Sequence, residues 1–402
     1  MTAPNGIINP NPVLALAGIR KNIDTFIHVI CLTSNDKSKI GRFTEEKQEN
    51  FSRVQNGTII IYYRYRIVFS ILIMNNNFPK IGVIGVGHLG RHHVKHLTKN
   101  TECLFAGLYD INNDRRNAVA EEYGTSAFGS IDKLIENCDG ISIVTPTKVH
   151  AQVAEQCIRA GKHVFIEKPI TKTVADADRL LQLAEENNVI IQVGHIERLN
   201  PALMPLKDFN LNPKYIEVQR LAPYTDRGTD VPVVLDLMIH DIDIILSLVN
   251  SPVKNIRASG VSILSDSVDI ANARIRFENG TVASMTSSRI ARDKVRKFRM
   301  FQKDLYVTID FLLGLTEIYR VLDKNEEDPD AIQTAPLDGY GSSRKIVYEK
   351  PEINKMDALE MELVNFIASI QGKETPIVDG YAGREALDVA IKIHDMILED
   401  IH

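Results

Sequence analysis

Lys168, Asp236 and His240 are the side chains best equipped to hold and move a proton. Lys168 stands in the run Glu167-Lys168-Pro169, directly after the apolar stretch 163–166. A lysine ending a buried strand is poorly placed for solubility alone, and Pro169 fixes the direction in which the chain leaves. A partly desolvated ammonium there could polarise a carbonyl or hold a hydroxyl, although a Glu-Lys surface pair explains the spacing equally well. Asp236, His240 and Asp243 recur at i, i+4 and i+7 in a helical pattern over 233–248, so they should share one face. Leu235, Ile239, Ile242 and Leu246 form the apolar stripe of that helix on another face. Asp236 would then fix the tautomer of His240, an imidazole that exchanges protons near neutral pH. A solvated polar face with an i,i+4 hydrogen bond is the plainer reading of the same pattern.

A second set of residues has the chemistry to hold a pyrophosphate. Residues 80–90 run Lys-Ile-Gly-Val-Ile-Gly-Val-Gly-His-Leu-Gly, a β-branched strand leading into Gly85, Gly87 and Gly90 and then a helix-like stretch. Gly85 permits the tight turn, Gly87 lets the backbone approach a phosphate, and Gly90 lets helix and strand pack closely. Gly87, His88 and Leu89 open the helix, whose N-terminal N–H groups favour an anion. Asp110, ending the strand 104–110, is placed to accept hydrogen bonds from an adenosine ribose. Its charge favours NAD over NADP, while Arg115 and Arg116 nearby keep NADP possible. Thr145-Pro146-Thr147 with His150 follows the strand 140–144; a capped turn explains most of it, with Thr145, Pro146 and His150 as further candidates for ribose or nicotinamide contact. Glu167 and Lys168 border the same cofactor region. His88, His92, His93 and His96 crowd one helix without a carboxylate or cysteine, which suggests a solvated face and no metal site.

These groups need a scaffold, and the alternation of strand and helix from Lys80 onward predicts a parallel sheet. Strands are expected at 80–84, 104–110, 140–144, 163–166 and 189–193, with helices at 115–123, 130–137, 150–160 and 174–187. After about residue 195 the pattern changes. One helix at 233–248 precedes strand patterns at 256–263, 270–277, 281–288, 297–302, 305–310 and 316–321; another strand, 215–221, comes before it. Asn279-Gly280 is a hairpin turn signal, and 323–341 looks like a loop. Helices at 356–371 and 380–398 end the chain. The expected fold class is α/β: a Rossmann dinucleotide-binding domain over 78–195, then an α+β domain over 196–402 with an open, mainly antiparallel sheet. The last helices are free to pack back on the first domain. Residues 1–73 match neither pattern and are expected to be an extension or a mis-assigned start.

The chain has 402 residues, enough for two domains and a sizeable core. A net charge of −5 argues against a protein held to nucleic acid by phosphate contacts. The apolar run near residues 67–74 is too short to span a bilayer. Four scattered cysteines suggest neither a zinc site nor a disulfide framework, and point to a reducing cytoplasm. An antiparallel sheet with one free face suggests a homo-oligomer, a dimer or tetramer.

The glycine loop, Thr145-Pro146-Thr147 with His150, Glu167-Lys168-Pro169 and Asp236…His240, in this order, resemble the Gfo/Idh/MocA family, named for glucose–fructose oxidoreductase, inositol dehydrogenase and a rhizopine-catabolism protein. The resemblance covers about residues 80–402. It implies NAD or NADP on the Rossmann domain, substrate on the second domain, Lys168 as the family's lysine, His240 as its acid–base histidine and Asp236 as the preceding aspartate. The family's usual Asp-x-Gly-x-His has Met238 here in the glycine position. The stretches from Gly194 to Pro201 and from Asp236 to Asp243 look like the branch acting on UDP-N-acetylglucosamine, which oxidises the 3-hydroxyl. This implies a nucleotide-sugar substrate contacted by Lys168, Arg198, Asn200, Asp236 and His240, with Arg198, Arg220, Arg227 and Arg289 as candidate charges for its pyrophosphate. A dehydrogenase of a free sugar or cyclitol, and a silent NAD-binding sensor or scaffold, are the alternatives.

Overall fold

Strand β4 (Lys80–Ile84) is buried after its first residue, as a strand covered on both faces must be. It is the centre of a five-stranded parallel sheet with β5 (Leu104–Tyr109), β6 (Gly140–Ile143), β7 (His163–Glu167) and β8 (Ile191–Gly194), in the order β5-β4-β6-β7-β8. The computed structural model describes residues 78–225, 231–337 and 343–401; upstream it gives the backbone of three short strands, β1 (Ile30–Cys31), β2 (Ser52–Gln55) and β3 (Thr58–Ile61), antiparallel in the order β1-β3-β2. The remainder of the 1–73 segment lies outside the described residues, so the expectation for it lies there too.

Helices α1 (His88–Lys99), α2 (Asn113–Tyr123), α3 (Ile131–Glu136), α4 (His150–Arg159) and α5 (Val174–Glu186) cover the parallel sheet. Asn112, Ser130 and Thr173 cap three of them, each side-chain oxygen accepting an N–H from the first turn. The strand order reverses at β4, so the crevice beyond the C-terminal ends of β4 and β6 is where a ligand belongs.

The second sheet has nine strands in the order β10-β11-β12-β9-β13-β14-β15-β17-β16, running from β9 (Tyr215–Leu221) through β10 (Val253–Val261), β11 (Ile270–Phe277), β12 (Val282–Ser288), β13 (Val295–Gln302), β14 (Leu305–Asp310) and β15 (Leu315–Asp323) to β16 (Gln333–Pro336) and β17 (Arg344–Glu349). All its pairings are antiparallel except β9 with β12. The hairpin at Asn279-Gly280 is present, with Gly280 at φ +87°. Alternate residues such as Ala271, Ala273, Ile275 and Phe277 face helices α6 (Ile239–Leu248) and α8 (Gly380–Ile401) in one core. Helix α7 (Ala358–Ile370) packs back on the parallel sheet, with Phe366 against Phe165 at 5.9 Å. Strand β16 falls where the sequence suggested a loop. Its four residues are all exposed and end in Pro336, so an edge strand left no burial alternation to read.

Candidate active site

Lys168 leaves the C-terminal end of β7 and reaches the second domain. Its Nζ donates to the Asp236 carbonyl oxygen at 2.7 Å and to Asp236 Oδ1 at 3.2 Å. Residues predicted from two separate motifs are therefore brought together. The stretch carrying Asp236, however, is a π-helical turn, Val234–Met238, that begins just after Pro232 and runs into α6. Its wider i→i+5 turn rotates Asp236 off the face of His240. The expected Asp236–His240 hydrogen bond is absent: Asp236 holds Lys168, and His240 Nδ1 is enclosed with no partner. Burial first, then the positive charges of Lys168 and Arg220, hold the His240 pKa well below its usual range. Met238, in the family's glycine position, is fully buried in the second-domain core.

The arginines expected to meet a substrate pyrophosphate are mostly committed elsewhere. Arg198 forms a bidentate pair with Asp243, at 2.9 and 2.5 Å, and donates to the Ile377 carbonyl. Arg220 is buried, bidentate to Asp241 at 2.9 and 2.8 Å and bonded to Glu197 at 2.9 Å. Arg289 is buried near Asp269 and donates to backbone carbonyls of Val231 and Val268. Asn200 uses its amide on Glu197 and its oxygen to cap the 3₁₀ helix Pro201–Asp208. Arg198 and Asn200 are thus engaged by Asp243 and Glu197, because buried carboxylates must be paired. Asp243, expected on a solvated face, is itself buried. Arg227 lies outside the described residues. One cation was missed. Arg296 pairs across β9 and β13 with Arg220, shares Glu197 Oε1 with it at 2.9 Å, and keeps 42% of its side chain exposed. No short motif marks it; only strand register places it near His240.

The dinucleotide loop has the shape its glycines predict. A Cβ on Gly85 or Gly90 would strike backbone, whereas the space beside Gly87 is open. Helix α1 starts at Gly87 with no side-chain cap and no acid in its first turn, which leaves its N–H groups for an anion. His88 and Leu89 are exposed there. Thr145 Oγ1 is buried without a partner beside this loop, an orphaned polar group that a ribose or nicotinamide amide would satisfy. Pro146 precedes the short 3₁₀ turn Thr147–Val149, which carries the chain into α4. These features fit a bound NAD(P). His150 does not join them: it is buried, and its two nitrogens lie against the carbonyls of Thr145 and Pro169, tying the two turns together. Asp110 receives the N–H of Val86 and of Asn112 and a bidentate Arg115. The Arg115 pair offsets part of the repulsion that favoured NAD over NADP. Glu167 faces inward, accepting from His93 at 3.0 Å and from the Lys168 N–H at 3.3 Å. His93 also meets Ser142 and is fully buried, so the expected solvated histidine face applies to His88 and His92 but not to His93.

Known proteins share this sequence pattern and fold. A family model described as "Oxidoreductase family, NAD-binding Rossmann fold" matches residues 79–195, and the "GFO/IDH/MocA C-terminal domain" matches residues 210–304. The UDP-N-acetylglucosamine 3-dehydrogenase of Acidithiobacillus ferrooxidans is 38% identical over 78% of this chain and 96% of its own. The chain belongs to the Gfo/Idh/MocA oxidoreductase family. A solved structure of the Acidithiobacillus dehydrogenase superposes with a TM-score of 0.71 at 36% identity, covering 80% of this chain and 98% of that one. A myo-inositol 2-dehydrogenase from Thermotoga maritima is 27% identical over 77% of this chain and 93% of its own. The chain is accordingly an NAD(P)-binding oxidoreductase with a Rossmann domain and an open, mainly antiparallel second sheet.

Behind the site, Glu362 on α7 is buried with both carboxyl oxygens unpartnered. Burial, reinforced by Glu167 and Asp243, raises its pKa well above the usual 4.5. A folded-state pKa above the unfolded value means the folded chain keeps a proton that the unfolded chain releases. Its contribution is therefore full below about pH 4.5 and lost as pH rises towards the folded pKa. Glu362→Gln, which is neutral at every pH, should melt progressively higher than the wild type as pH is raised from 5 to about 8. Thermal melts across that range check this; a constant or shrinking difference would refute it.

Proposed function

We propose that the enzyme oxidises a secondary hydroxyl of a nucleotide sugar to a ketone, the 3-hydroxyl of UDP-N-acetylglucosamine being the favoured substrate. The observation that carries the chemistry is the meeting of Lys168 with the turn that bears Asp236 and leads to His240. Bound NAD supplies the hydride acceptor for the carbinol C–H. Lys168 holds the hydroxyl oxygen and favours the developing alkoxide, while Asp236 keeps the ammonium aimed at that point. His240 takes the hydroxyl proton; its depressed pKa keeps the ring neutral, and so able to accept, at pH 7.

The substrate class rests on two supports. One is the similarity to the Acidithiobacillus dehydrogenase over nearly its full length. The other is Arg296, a half-exposed guanidinium beside the buried Arg220 network, suited to a phosphate oxygen. A panel of nucleotide sugars, free sugars and inositols, followed by fluorescence of reduced cofactor, should single out UDP-N-acetylglucosamine. Free UDP should inhibit competitively, and Arg296→Gln should weaken that inhibition about tenfold while leaving NAD binding alone. Turnover of myo-inositol with no effect of UDP would favour a cyclitol dehydrogenase. Failure of every substrate would favour a sensor.

The free face of the second sheet carries a row of aromatics, Tyr215, Phe301, Tyr306, Tyr319 and Tyr348, one on each of five neighbouring strands. We infer from it that copies of the chain associate through this face. The buried free thiols Cys103 and Cys138, both pushed up to about 12 by burial, suit a reducing cytoplasm. Among the described residues no helix is long and apolar enough to cross a membrane.

A further inference from the structure

His195 follows Gly194 at the end of β8, has no exposed surface, and offers two ring nitrogens without a hydrogen-bond partner. Its ring stands edge-on to that of His240, with centroids 6.4 Å apart and planes at 85°. The enclosed Nδ1 of His240 is unpartnered as well. Neighbouring rings thus hold three buried nitrogens, each costly to leave unpaired. The rings are too far apart for a direct hydrogen bond, yet close enough for one water making two bonds of about 2.9 Å.

We propose that His195 is the positioning residue of His240, holding Nδ1 in its N–H form through one bridging water. Nε2 is thereby left free to take the hydroxyl proton of the substrate. The imidazolium that results keeps both protons, with Nδ1–H still donating towards His195. Asp236, the orienting group suggested by spacing, cannot do this because it is spent on Lys168.

The charges around the pair agree with this role. His240 is faced by the cations Lys168 after β7, Arg220 from β9 and Arg296 from β13, which oppose a positive ring, as a protonated His195 would. The bridge therefore requires His195 neutral, the form that its own burial favours. His195 feels the carboxylates of Asp243 from α6 and Glu167 from β7, set against the cations Arg198 and Lys168. Glu167 is held close: a Cβ on Gly194 would lie only 3.0 Å from its carboxyl group. The nearby carboxylates favour an N–H on the far nitrogen of a neutral His195, which leaves its other nitrogen as the acceptor of the bridge and offsets part of the repulsion on His240.

The inference rests on His240 being the acid–base residue, and the test separates the two. His195→Phe keeps the volume and removes the nitrogens; His195→Gln keeps one donor and one acceptor. The Phe variant should bind NADH normally and lose about 10–100-fold in kcat with little change in KM. The rising limb of its kcat/KM profile should move to lower pH, because the imidazolium has lost a partner. The Gln variant should recover part of the rate. In a His240→Ala background, His195→Phe should cost nothing further. A wild-type rate and pH profile in the Phe variant would overturn the proposal, as would an equal loss in the His240→Ala background. If the Phe variant does not fold, the Gln variant decides: its kcat should stay several-fold below the wild type with the limb at lower pH, and a wild-type rate and limb would overturn the proposal. Wild-type turnover in His240→Ala alone refutes the acid–base assignment instead.

Discussion

His240→Ala should lower kcat by about 10²- to 10⁴-fold, the usual contribution of one general base, while NADH still binds with wild-type affinity. The side chain is in the second domain, on α6, and touches neither the glycine loop nor the Asp110 corner, so cofactor affinity has no reason to change. Stability should also hold. The lost imidazole is neutral and makes no direct protein hydrogen bond through Nδ1, so its removal breaks no buried ion pair and leaves the packing of α6 on the sheet in place. Stopped-flow or steady-state rates with UDP-N-acetylglucosamine, paired with NADH fluorescence titration, read the two quantities separately. A variant with near-normal turnover would show that the proton goes elsewhere.

Gly90→Ala should be the most damaging single methyl in the first domain. The added Cβ would overlap the carbonyl oxygen of Gly85, and both groups are backbone, so neither can swing aside. Helix α1 would have to move away from β4, at a cost of about 1–3 kcal/mol or more. It would take its N-terminal N–H groups away from the pyrophosphate as well. NADH binding should fall by at least about a hundredfold, with a drop in melting temperature of several degrees. Gly87→Ala is the matched control. Its Cβ enters open space, so the protein without cofactor should melt normally and lose only cofactor affinity. Equal melting temperatures and equal NADH affinity for Gly90→Ala and the wild type would contradict the packing described.

Much of this protein could be read from its residues because the relevant signals are local. The β-branched runs with helices between them announce a parallel sheet, since both faces must be covered. The glycine spacing from Gly85 to Gly90 announces the cofactor turn, since only a residue without a side chain tolerates those contacts. Lys168 and His240 stood out by type and position. Less visible were features set by distant neighbours. An exposed edge strand such as β16 has no buried face, hence no alternation. The π turn at Val234–Met238 leaves the apolar pattern of a helix almost unchanged while altering which polar residues share a face.

Charge is where sequence was least able to decide. Composition shows how many arginines there are, but not which have found a carboxylate. Arg198 and Arg220 are paired inside the second domain by Asp243, Asp241 and Glu197, and Arg296 is left partly exposed by its place on β13. Burying a carboxylate without a partner is so unfavourable that folding commits these arginines to the buried acids. By itself, then, the order of residues determined the fold class and the cofactor turn, and singled out Lys168 and His240 as candidates. Which groups point at each other across the cleft was decided only by tertiary structure, because hydrogen bonds and ion pairs depend on separations of a few ångströms between elements far apart in the chain.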